Sequence, residues 1–343
     1  MNPSESAPPG AAIWRLLDSC LEIQVVRAFT ELRVADHFRG QFREVASLAE
    51  ATGTQPDRLA RLLRAAAALG LCDTDEHGRF ALTPEGELLS TGTSDSLAAW
   101  ALLLTAPWLT RPWGELANAI RSTQIPFAEI HRVSFWDYVS AHPEDGKLFD
   151  AAMTSGAADH AQALLCAVDL SSVGTVVDVG GGQGQLLVSL LDRWPHLRAV
   201  VADRPEVLVG ARDALEHAQL VDRIDIVPTD FFASVPEGGD AYVLSRILHD
   251  WPDPEAMSIL TTCRRAMGPD ARLYILEDVV PSAEEMSAAQ RAAVAMKDLN
   301  MLVLVGGQER TAREYEGLLA SSGFADVRIL GDAPLNVIEA RPA

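Results

Sequence analysis

The sequence predicts an α/β protein: a Rossmann-like, doubly wound sheet with an antiparallel C-terminal hairpin, preceded by a mainly helical winged-helix domain. Three observations support this prediction. From about residue 173 onward, apolar strand patterns alternate with helical patterns, as they do in doubly wound sheets. A glycine-rich turn joins the first of these strands to a helix. The N-terminal region instead shows short helices followed by a small hairpin.

The composition is that of a globular protein with an acidic surface. The chain has 343 residues, 48% hydrophobic and 22% charged, which is enough for two domains with sizeable cores. A formal net charge of −20 disfavours nucleic acid and anionic membranes as partners, because no general positive field attracts phosphates. No apolar run has the length of a membrane span, so none is predicted.

Cysteine usage and the N-terminus predict a cytoplasmic protein. Cys20, Cys72, Cys166 and Cys263 lie far apart, without a C-x-x-C or a Cys/His cluster, so neither a zinc site nor a disulfide framework is indicated. They are predicted to be core thiols of a reducing compartment. Residues 1–10, MNPSESAPPG, lack the pattern of a signal peptide and are expected to form a disordered tail.

Residues 11–95 are predicted to form a winged-helix domain. Its expected elements are helices over 11–39, 45–51 and 56–69 and strands over 71–73 and 80–83. A winged helix can bind DNA, and the third helix carries Arg58, Arg61 and Arg64. The many acids around these arginines oppose phosphate, so we predict no nucleic-acid partner. The apolar face of the first helix favours a homodimer through residues 11–90.

Residues 96–170 are predicted to be a helical linker that contributes to a substrate pocket. The segment is rich in aromatic residues, most of which are expected in the core and some in an apolar pocket. They are Trp100, Trp108, Trp113, Phe127, Phe135, Trp136, Tyr138 and Phe149.

Residues 171–343 are predicted to form the ligand-binding α/β domain. The expected strands cover 175–179, 198–202, 223–228, 240–245, 272–277, 325–330 and 335–340. The expected helices cover 185–193, 205–218, 253–267, 287–303 and 312–322. The last two strands, joined by the short turn 331–334, should form the antiparallel hairpin, whereas a dehydrogenase would begin a second βαβ half.

The glycine turn lies in the segment Thr175–Gln185, TVVDVGGGQGQ. It contains neither the G-x-G-x-x-G fingerprint of dinucleotide-binding folds nor a P-loop. Its D-x-G-x-G-x-G pattern resembles motif I of the class I S-adenosylmethionine-dependent methyltransferases. This resemblance implies cofactor contacts by Asp178, which orients the ammonium group, and by Gly180, Gly182 and Gly184, which make room for the amino-acid end.

Polar and aromatic residues stand where the following strands end, the edge at which open α/β sheets bind ligands. Asp203 ends the second strand, where an acid can accept the ribose hydroxyls; capping a helix before Pro205 is the alternative. The third strand ends near Asp230–Phe232, and an acid followed by Phe231 and Phe232 suits the amine and face of adenine. Ser245 and Trp251 flank the fourth strand end, and the indole can stack on the base.

The segments SRILHDWPD (245–253), ILEDVVP (275–281) and GGQERT (306–311) together resemble the plant caffeate/isoflavone-type O-methyltransferases and their bacterial relatives in aromatic polyketide biosynthesis. The resemblance implies that His249 is the general base and that Glu277 and Glu309 flank it and hold its ring. Ser245 stands where the plant enzymes usually carry Lys. The resemblance also places five residues around the acceptor: Phe149, Met153, Asn300, Met301 and Leu304.

The chemistry of these residue types agrees with a histidine base flanked by carboxylates. A phenol has a pKa of about 10, so little phenolate exists at neutral pH. A neutral His near its ordinary pKa of about 6.5 can accept the proton as the methyl group transfers. A neighbouring carboxylate fixes the tautomer and stabilises the imidazolium. The carboxylates are too few for an evident Mg²⁺ cage, so no metal is expected.

The sequence therefore predicts a metal-independent, S-adenosylmethionine-dependent O-methyltransferase, which leaves S-adenosylhomocysteine as product and acts on a phenolic hydroxyl of a small aromatic natural product. Two alternatives stay open. One is an enzyme of the same fold that binds S-adenosylmethionine but catalyses hydroxylation, decarboxylation or a pericyclic step. The other is a ligand-responsive regulator that uses the winged helix. The sequence names neither the acceptor nor the regiochemistry.

Overall fold

The computed structural model describes residues 10–93, 95–281, 286–331 and 335–343. The chain divides into two compact units, Met1–Thr110 and Arg111–Ala343. The finer division expected from the sequence, with borders after residues 10, 95 and 170, stays a prediction, and the expected tail lies outside the described residues except for Gly10. Along the described ranges no helix is long and apolar enough to cross a membrane.

The first unit contains the predicted winged-helix pattern. Its helices are α1 Ala11–Glu31, α2 Val45–Thr52, α3 Pro56–Ala68, α4 Pro84–Glu87, α5 Ala98–Leu104 and α6 Pro107–Thr110. Its strands are β1 Cys72–Thr74 and β2 Phe80–Leu82, which pair antiparallel as predicted, with Cys72 opposite Leu82. The apolar side chains of α2, α3 and the hairpin share one buried core with Phe29 and Phe38.

The prediction of one helix over 11–39 is wrong, because α1 ends at Glu31. Arg33 adopts a left-handed backbone with φ 52°. The N–H of Val34 then donates to the carbonyl of Phe29 (3.1 Å), and that of Arg33 to Thr30 (2.9 Å). This is a Schellman cap, which usually has glycine at the left-handed position. Since Arg stands there, the sequence carries no stop signal at this point.

The second unit is built around a seven-stranded sheet. Its helices are α7 Leu116–Ala119, α8 Pro126–His131, α9 Phe135–Ala141, α10 Pro143–Ala167, α11 Gln185–Arg193, α12 Ala211–His217, α13 Asp253–Ala266, α14 Ala288–Leu304 and α15 Ala312–Ser321. Its strands are β3 Thr175–Val179, β4 Arg198–Asp203, β5 Ile224–Pro228, β6 Ala241–Ser245, β7 Arg272–Glu277, β8 Val279–Val280, β9 Arg310–Thr311, β10 Phe324–Leu330 and β11 Asn336–Pro342.

Two local expectations differ from the structure. The helix expected from residue 205 begins later: the N–H groups of Val207 and Leu208 both donate to the carbonyl of Arg204, which forms a turn before α12. The short parallel pair β8–β9 was not predicted, because two-residue strands carry no readable periodicity.

The strand order in the sheet is β10-β11-β7-β6-β3-β4-β5. β3 pairs parallel with both β4 and β6, so the order reverses at β3 and a crevice opens beyond its carboxyl end. β11 runs antiparallel to β7 and to the edge strand β10, which confirms the predicted C-terminal hairpin. Of its expected turn, Asp332–Pro334 lie outside the described residues.

Both faces of the sheet are covered by helices. Val176 belongs to a core shared with α11, whereas its neighbour Val177 points to the opposite face and joins a core shared with α13. Because both faces are buried, the carboxyl edge of the parallel strands is where polar side chains reach a ligand.

Candidate active site

The glycine turn after β3 depends on backbone conformations and close approaches that side chains would prevent. Gly180, Gly182 and Gly184 all lie in the left-handed region, with φ of 74°, 59° and 81°. A Cβ added to Gly181 would lie 2.7 Å from the carboxylate of Asp178. A Cβ on Gly182 would meet nothing within 4 Å, so this part of the turn borders open space. The turn therefore depends on glycine for its conformation, and it offers space for a ligand at Gly182.

Asp178 is a fully buried carboxylate next to that turn. Its Oδ1 has no hydrogen-bond partner among the described residues. Burial raises the pKa of Asp178 to about 7, and the nearby charge of Asp203 adds to the shift. A cationic group at this point would relieve the cost of burying the charge.

Asp203, at the end of β4, is tied to the glycine turn. Its Oδ2 accepts from the N–H of Gly182 (2.9 Å), and its Oδ1 accepts from the N–H of Arg204 (2.7 Å). Burial raises the pKa of Asp203. Each oxygen keeps a free lone pair for a further donor, so the carboxylate can still accept from a diol.

Aromatic rings and a cavity lie beyond the ends of β4 and β5. The cavity of about 420 Å³ is lined by Arg204–Glu206 and Pro228–Asp230. The Trp251 ring packs edge-to-face on Phe232 at 4.8 Å and on Phe231 at 6.1 Å. The structure thus brings together Asp203, Asp230 and the predicted aromatic residues at one edge.

The sequence did not assign Trp136 to this edge. Its indole stacks on Trp251, with ring centroids 6.4 Å apart and an angle of 23°. The guanidinium of Arg204 lies 5.7 Å from the Trp136 ring, and its Nη1 donates to the Trp136 carbonyl. Only the general aromatic richness of the linker hinted at this role.

His249 lies in a 3₁₀ turn, Leu248–Asp250, that follows β6. The buried carboxylate of Glu277 at the end of β7 binds the backbone of this turn. Its Oε1 accepts from the N–H groups of Ile247 (3.0 Å), Leu248 (2.8 Å) and His249 (3.3 Å). Glu277 therefore anchors the backbone of the turn as well as lying beside the ring.

Three carboxylates surround the imidazole. Nδ1 lies 3.2 Å from Oε1 of Glu309 and 3.5 Å from Oε2 of Glu277, and Nε2 lies 3.6 Å from Oδ1 of Asp250. The sequence resemblance had implied two flanking acids. Asp250 is the third, and burial raises the pKa of Asp250 to about 6.

The charge environment shifts the proton affinity of His249 upward. Burial alone would lower the pKa of His249, but the carboxylates of Glu277, Asp250 and Glu309 outweigh it and raise the pKa to about 9. The sequence-based expectation of an ordinary value, about 6.5, is therefore wrong. Burial raises the pKa of Glu277 to about 7 in turn.

Ser245, at the end of β6, contacts a residue that the sequence did not single out. Its hydroxyl lies 3.0 Å from Nδ1 of His160 on α10. Burial and the nearby charge of Arg246 lower the pKa of His160 to about 4, so this imidazole is neutral at physiological pH. His160 follows Met153 by two helical turns, a spacing that gives only a weak signal.

The five residues expected around the acceptor lie on α10 and α14. Phe149 packs on Trp136, with ring centroids 5.9 Å apart, and so joins the aromatic edge. Met153, Asn300 and Met301 are half-buried and Leu304 is buried. α14 reaches the base region through Asp298, whose Oδ1 accepts from the N–H of Glu309 (3.0 Å). Contact of these five residues with an acceptor stays a prediction.

The chain belongs to the S-adenosylmethionine-dependent O-methyltransferase family. Residues 113–325 match the O-methyltransferase domain, and residues 14–92 match the O-methyltransferase dimerisation domain. The chain is thus a methyltransferase enzyme that uses S-adenosylmethionine, as bacterial relatives in antibiotic biosynthesis do.

Relatives and solved structures agree along nearly the whole chain. The phenazine O-methyltransferase PhzM of Lysobacter antibioticus is 35% identical over 99% of this chain and 98% of its own length. The crystal structure of LaPhzM gives a TM-score of 0.91 and covers 98% of this chain and 100% of that one.

Two further relatives mark the range of chemistry. NcsB1 of neocarzinostatin biosynthesis, solved with S-adenosylmethionine and 2-hydroxy-5-methyl naphthoic acid, is 32% identical, with a TM-score of 0.79 and coverage of 94% and 96%. The aclacinomycin 10-hydroxylase RdmB of Streptomyces purpurascens is 33% identical over 88% of this chain and 80% of its own length.

Proposed function

We propose that this enzyme transfers a methyl group from S-adenosylmethionine to a phenolic hydroxyl of a small aromatic natural product, with His249 as general base and without a metal ion. The arrangement of His249 carries the proposal: Nδ1 faces Glu309 and Glu277, whereas Nε2, which has Asp250 as its neighbour at 3.6 Å, takes the acceptor proton. The bound cofactor supplies a methyl group already activated by its sulfonium sulfur. The protein's tasks are to align the acceptor and to remove its proton.

The raised pKa of His249 suits a phenol. A base with a pKa of about 9 and a phenol with a pKa of about 10 exchange a proton at little cost. Nδ1–H donates to Glu309, and the two carboxylates stabilise the imidazolium once Nε2 holds the proton. The base must first be neutral, so the rate should rise with pH.

The residues at the carboxyl edge fit the cofactor. The unpaired Oδ1 of Asp178 suits its ammonium group, and Gly180, Gly182 and Gly184 form the turn beside it, with open space at Gly182. Asp203 accepts from the ribose hydroxyls. Asp230, Phe231, Phe232 and Trp251 receive the adenine, and Ser245 lies on the same edge.

The acceptor is expected against α10 and α14. Phe149, Met153, Met301 and Leu304 offer an apolar surface for an aromatic ring, and the Asn300 amide can orient a substrate oxygen. The relatives that act on phenazines and naphthoates support an acceptor of this size and character.

Product analysis tests the proposal. The purified enzyme is incubated with S-adenosylmethionine and a panel of anthraquinones, naphthoates, phenazines, flavonoids and simple phenols. We expect one acceptor to gain a CH₂ unit by mass spectrometry, with an equal amount of S-adenosylhomocysteine. The hydroxylase relative makes a second outcome concrete: an oxygenated product without S-adenosylhomocysteine would favour a non-methylating enzyme.

We also infer that the enzyme is a homodimer formed through residues 11–90. The match to a dimerisation domain supports this, as does an exposed apolar surface on α1. That surface comprises Ile13, Trp14, Leu16, Leu17, Leu21 and Ile23. A monomer by light scattering at micromolar concentration would reject the dimer.

All four cysteines are free thiols, which fits the cytoplasm. The expectation that they are core thiols holds for Cys72 and Cys263, which are buried, and is wrong for Cys20 and Cys166, which are exposed.

A further inference from the structure

The connection after α14, residues 306–310, lies directly against the turn that carries His249. A Cβ added to Gly307 would lie 2.0 Å from the carbonyl oxygen of His249 and 2.5 Å from the carbonyl carbon of Asp250. The N–H of Gln308 donates to the His249 carbonyl at 2.9 Å. The two backbones are therefore in contact, and only glycine leaves room for it.

Arg310, one residue beyond Glu309, completes this contact with a fully buried side chain. Its Nη1 donates to the carbonyl of Leu248 (2.7 Å), and its Nη2 donates to the carbonyl of Trp251 (2.6 Å). Nε and Nη2 both donate to Oδ1 of Asp253, at 3.0 and 2.9 Å. One guanidinium thus binds the chain on both sides of His249.

We propose that Arg310 is a positioning residue for methyl transfer: its guanidinium fixes the turn from Leu248 to Trp251 and thereby sets the direction of Nε2 of His249. The inference rests on the proposed role of His249 as base.

The anchoring of the turn explains why this geometry needs a guanidinium. Glu277 holds the N–H groups of the turn, and Arg310 together with Gln308 holds its carbonyls, so the backbone is fixed from both sides. The planar guanidinium of Arg310 donates to two carbonyls and a carboxylate at once, whereas the ammonium group of Lys is a compact point charge. Because a buried charge is tolerated only when its hydrogen-bond partners are in place, the guanidinium also resists movement of the turn.

Arg310 also links the base to the cofactor edge. Trp251, whose carbonyl it holds, carries the ring that packs on Phe232 and Trp136. Loss of the Arg310 guanidinium contacts would let the imidazole of His249 and the ring of Trp251 move independently. Misplacement of a catalytic group by about 1 Å can cost roughly 10²-fold in rate.

The test compares Arg310→Gln and Arg310→Lys with the matched control Arg223→Gln. Arg223 also holds backbone carbonyls, those of Leu191, Trp194 and Leu197, but it precedes β5 at the opposite edge of the sheet. We expect both Arg310 variants to lose roughly 10²-fold in kcat, with a smaller change in KM for the acceptor. Arg223→Gln should lower Tm and keep kcat. Wild-type kcat in both Arg310 variants would overturn the proposal.

A double-mutant cycle separates positioning from general damage. If Arg310 acts through the base, His249→Ala combined with Arg310→Lys should be no slower than His249→Ala alone. Additive losses would mean that Arg310 acts elsewhere. The same cycle tests the two proposals separately: a fully active His249→Ala variant rejects the base itself, whereas a slow one with additive losses rejects only the role of Arg310.

A nitrophenol acceptor that is already ionised at the assay pH gives the second readout. It should recover turnover in His249→Ala and in Arg310→Lys alike, because neither then needs proton removal. A defect of Arg310→Lys that persists with this acceptor, while His249→Ala recovers, would contradict positioning through the base.

Discussion

The two halves of the active site are built in different ways. The part of the cofactor half that is expected to receive the amino-acid end is local: the glycine turn and Asp178 come from one stretch of eleven residues, Thr175–Gln185. The base half is assembled from distant positions, since Glu277 and Glu309 lie 28 and 60 residues from His249. The first half depends on backbone conformation, which glycines encode directly. The second depends on which strand ends the fold brings side by side.

The halves also differ in how they treat buried charge. Burial raises the pKa of Asp178 and of Glu277 to about 7 in both cases. In the part of the chain that the structure describes, each carboxylate has one oxygen without a hydrogen-bond partner, Oδ1 of Asp178 and Oε2 of Glu277. The Oε2 of Glu277, however, lies 3.5 Å from Nδ1 of His249, and its Oε1 accepts from three backbone N–H groups. Under the proposed function, the ammonium group of the cofactor would supply the cation beside Asp178, whereas the imidazole of His249 supplies it beside Glu277. Variants should therefore separate binding from chemistry.

The largest effect should come from the base. His249→Ala is expected to lower kcat by roughly 10²–10⁴-fold, because the acceptor proton loses its general base, while cofactor affinity stays near wild type. Steady-state kinetics and calorimetry measure the two quantities. His196→Ala, which removes an imidazole that lies 3.1 Å from the carbonyl of Val173, should leave kcat unchanged. Wild-type turnover by His249→Ala would end the base assignment.

In the cofactor half, a substitution should weaken cofactor binding rather than lower kcat. Asp203→Ala should raise the cofactor Kd by one to two orders of magnitude, since unpaired ribose hydroxyls cost about 1–3 kcal/mol. Asp240→Ala is the matched control, because Asp240 also accepts from two backbone N–H groups, those of Gly174 and Thr175, at the opposite edge of the sheet. Equal affinities of wild type and Asp203→Ala by calorimetry would remove Asp203 from the cofactor site.

The pH dependence of kcat/KM tests the raised pKa of His249 in the base half of the site. Only neutral His249 can take a proton, so kcat/KM should rise with pH and level off above the raised pKa of about 9. Glu309 is one of the carboxylates that raise this pKa, so Glu309→Gln should move the ascending limb to lower pH. Glu144→Gln, which removes an exposed ion pair with Lys147 (2.8 Å), should not. If kcat/KM of the wild type instead rose around pH 6.5, that result would contradict the claim that the neighbouring carboxylates raise the pKa of His249.

The smallest expected effect is that of chelation. Among the residues with described positions, no group of His, Cys, Asp and Glu is arranged to hold a metal ion. We expect EDTA to leave kcat unchanged. Lost turnover that Mg²⁺ restores would overturn metal independence.

Sequence reasoning succeeded where local pattern and local structure coincide. Strand and helix periodicities predicted the sheet and its antiparallel hairpin, and the glycine turn appeared where expected. It failed at the end of α1, where Arg33 takes a conformation that glycine usually signals. It gave only weak signals for Trp136 and His160 and assigned no role to Arg310, because the roles of all three arise from neighbours far away in the chain.

By itself, the sequence determined the fold class and the glycine turn, because periodicity and short motifs are local properties. The family resemblance added the prediction that His249 is the base and that Glu277 and Glu309 flank it. Only the tertiary structure decided what those residues experience. It placed Asp250 as a third carboxylate beside the imidazole, shifted the pKa of His249 upward, and set Arg310 against the turn. Burial and distance decide charge interactions, and both depend on contacts between residues that the chain order keeps apart.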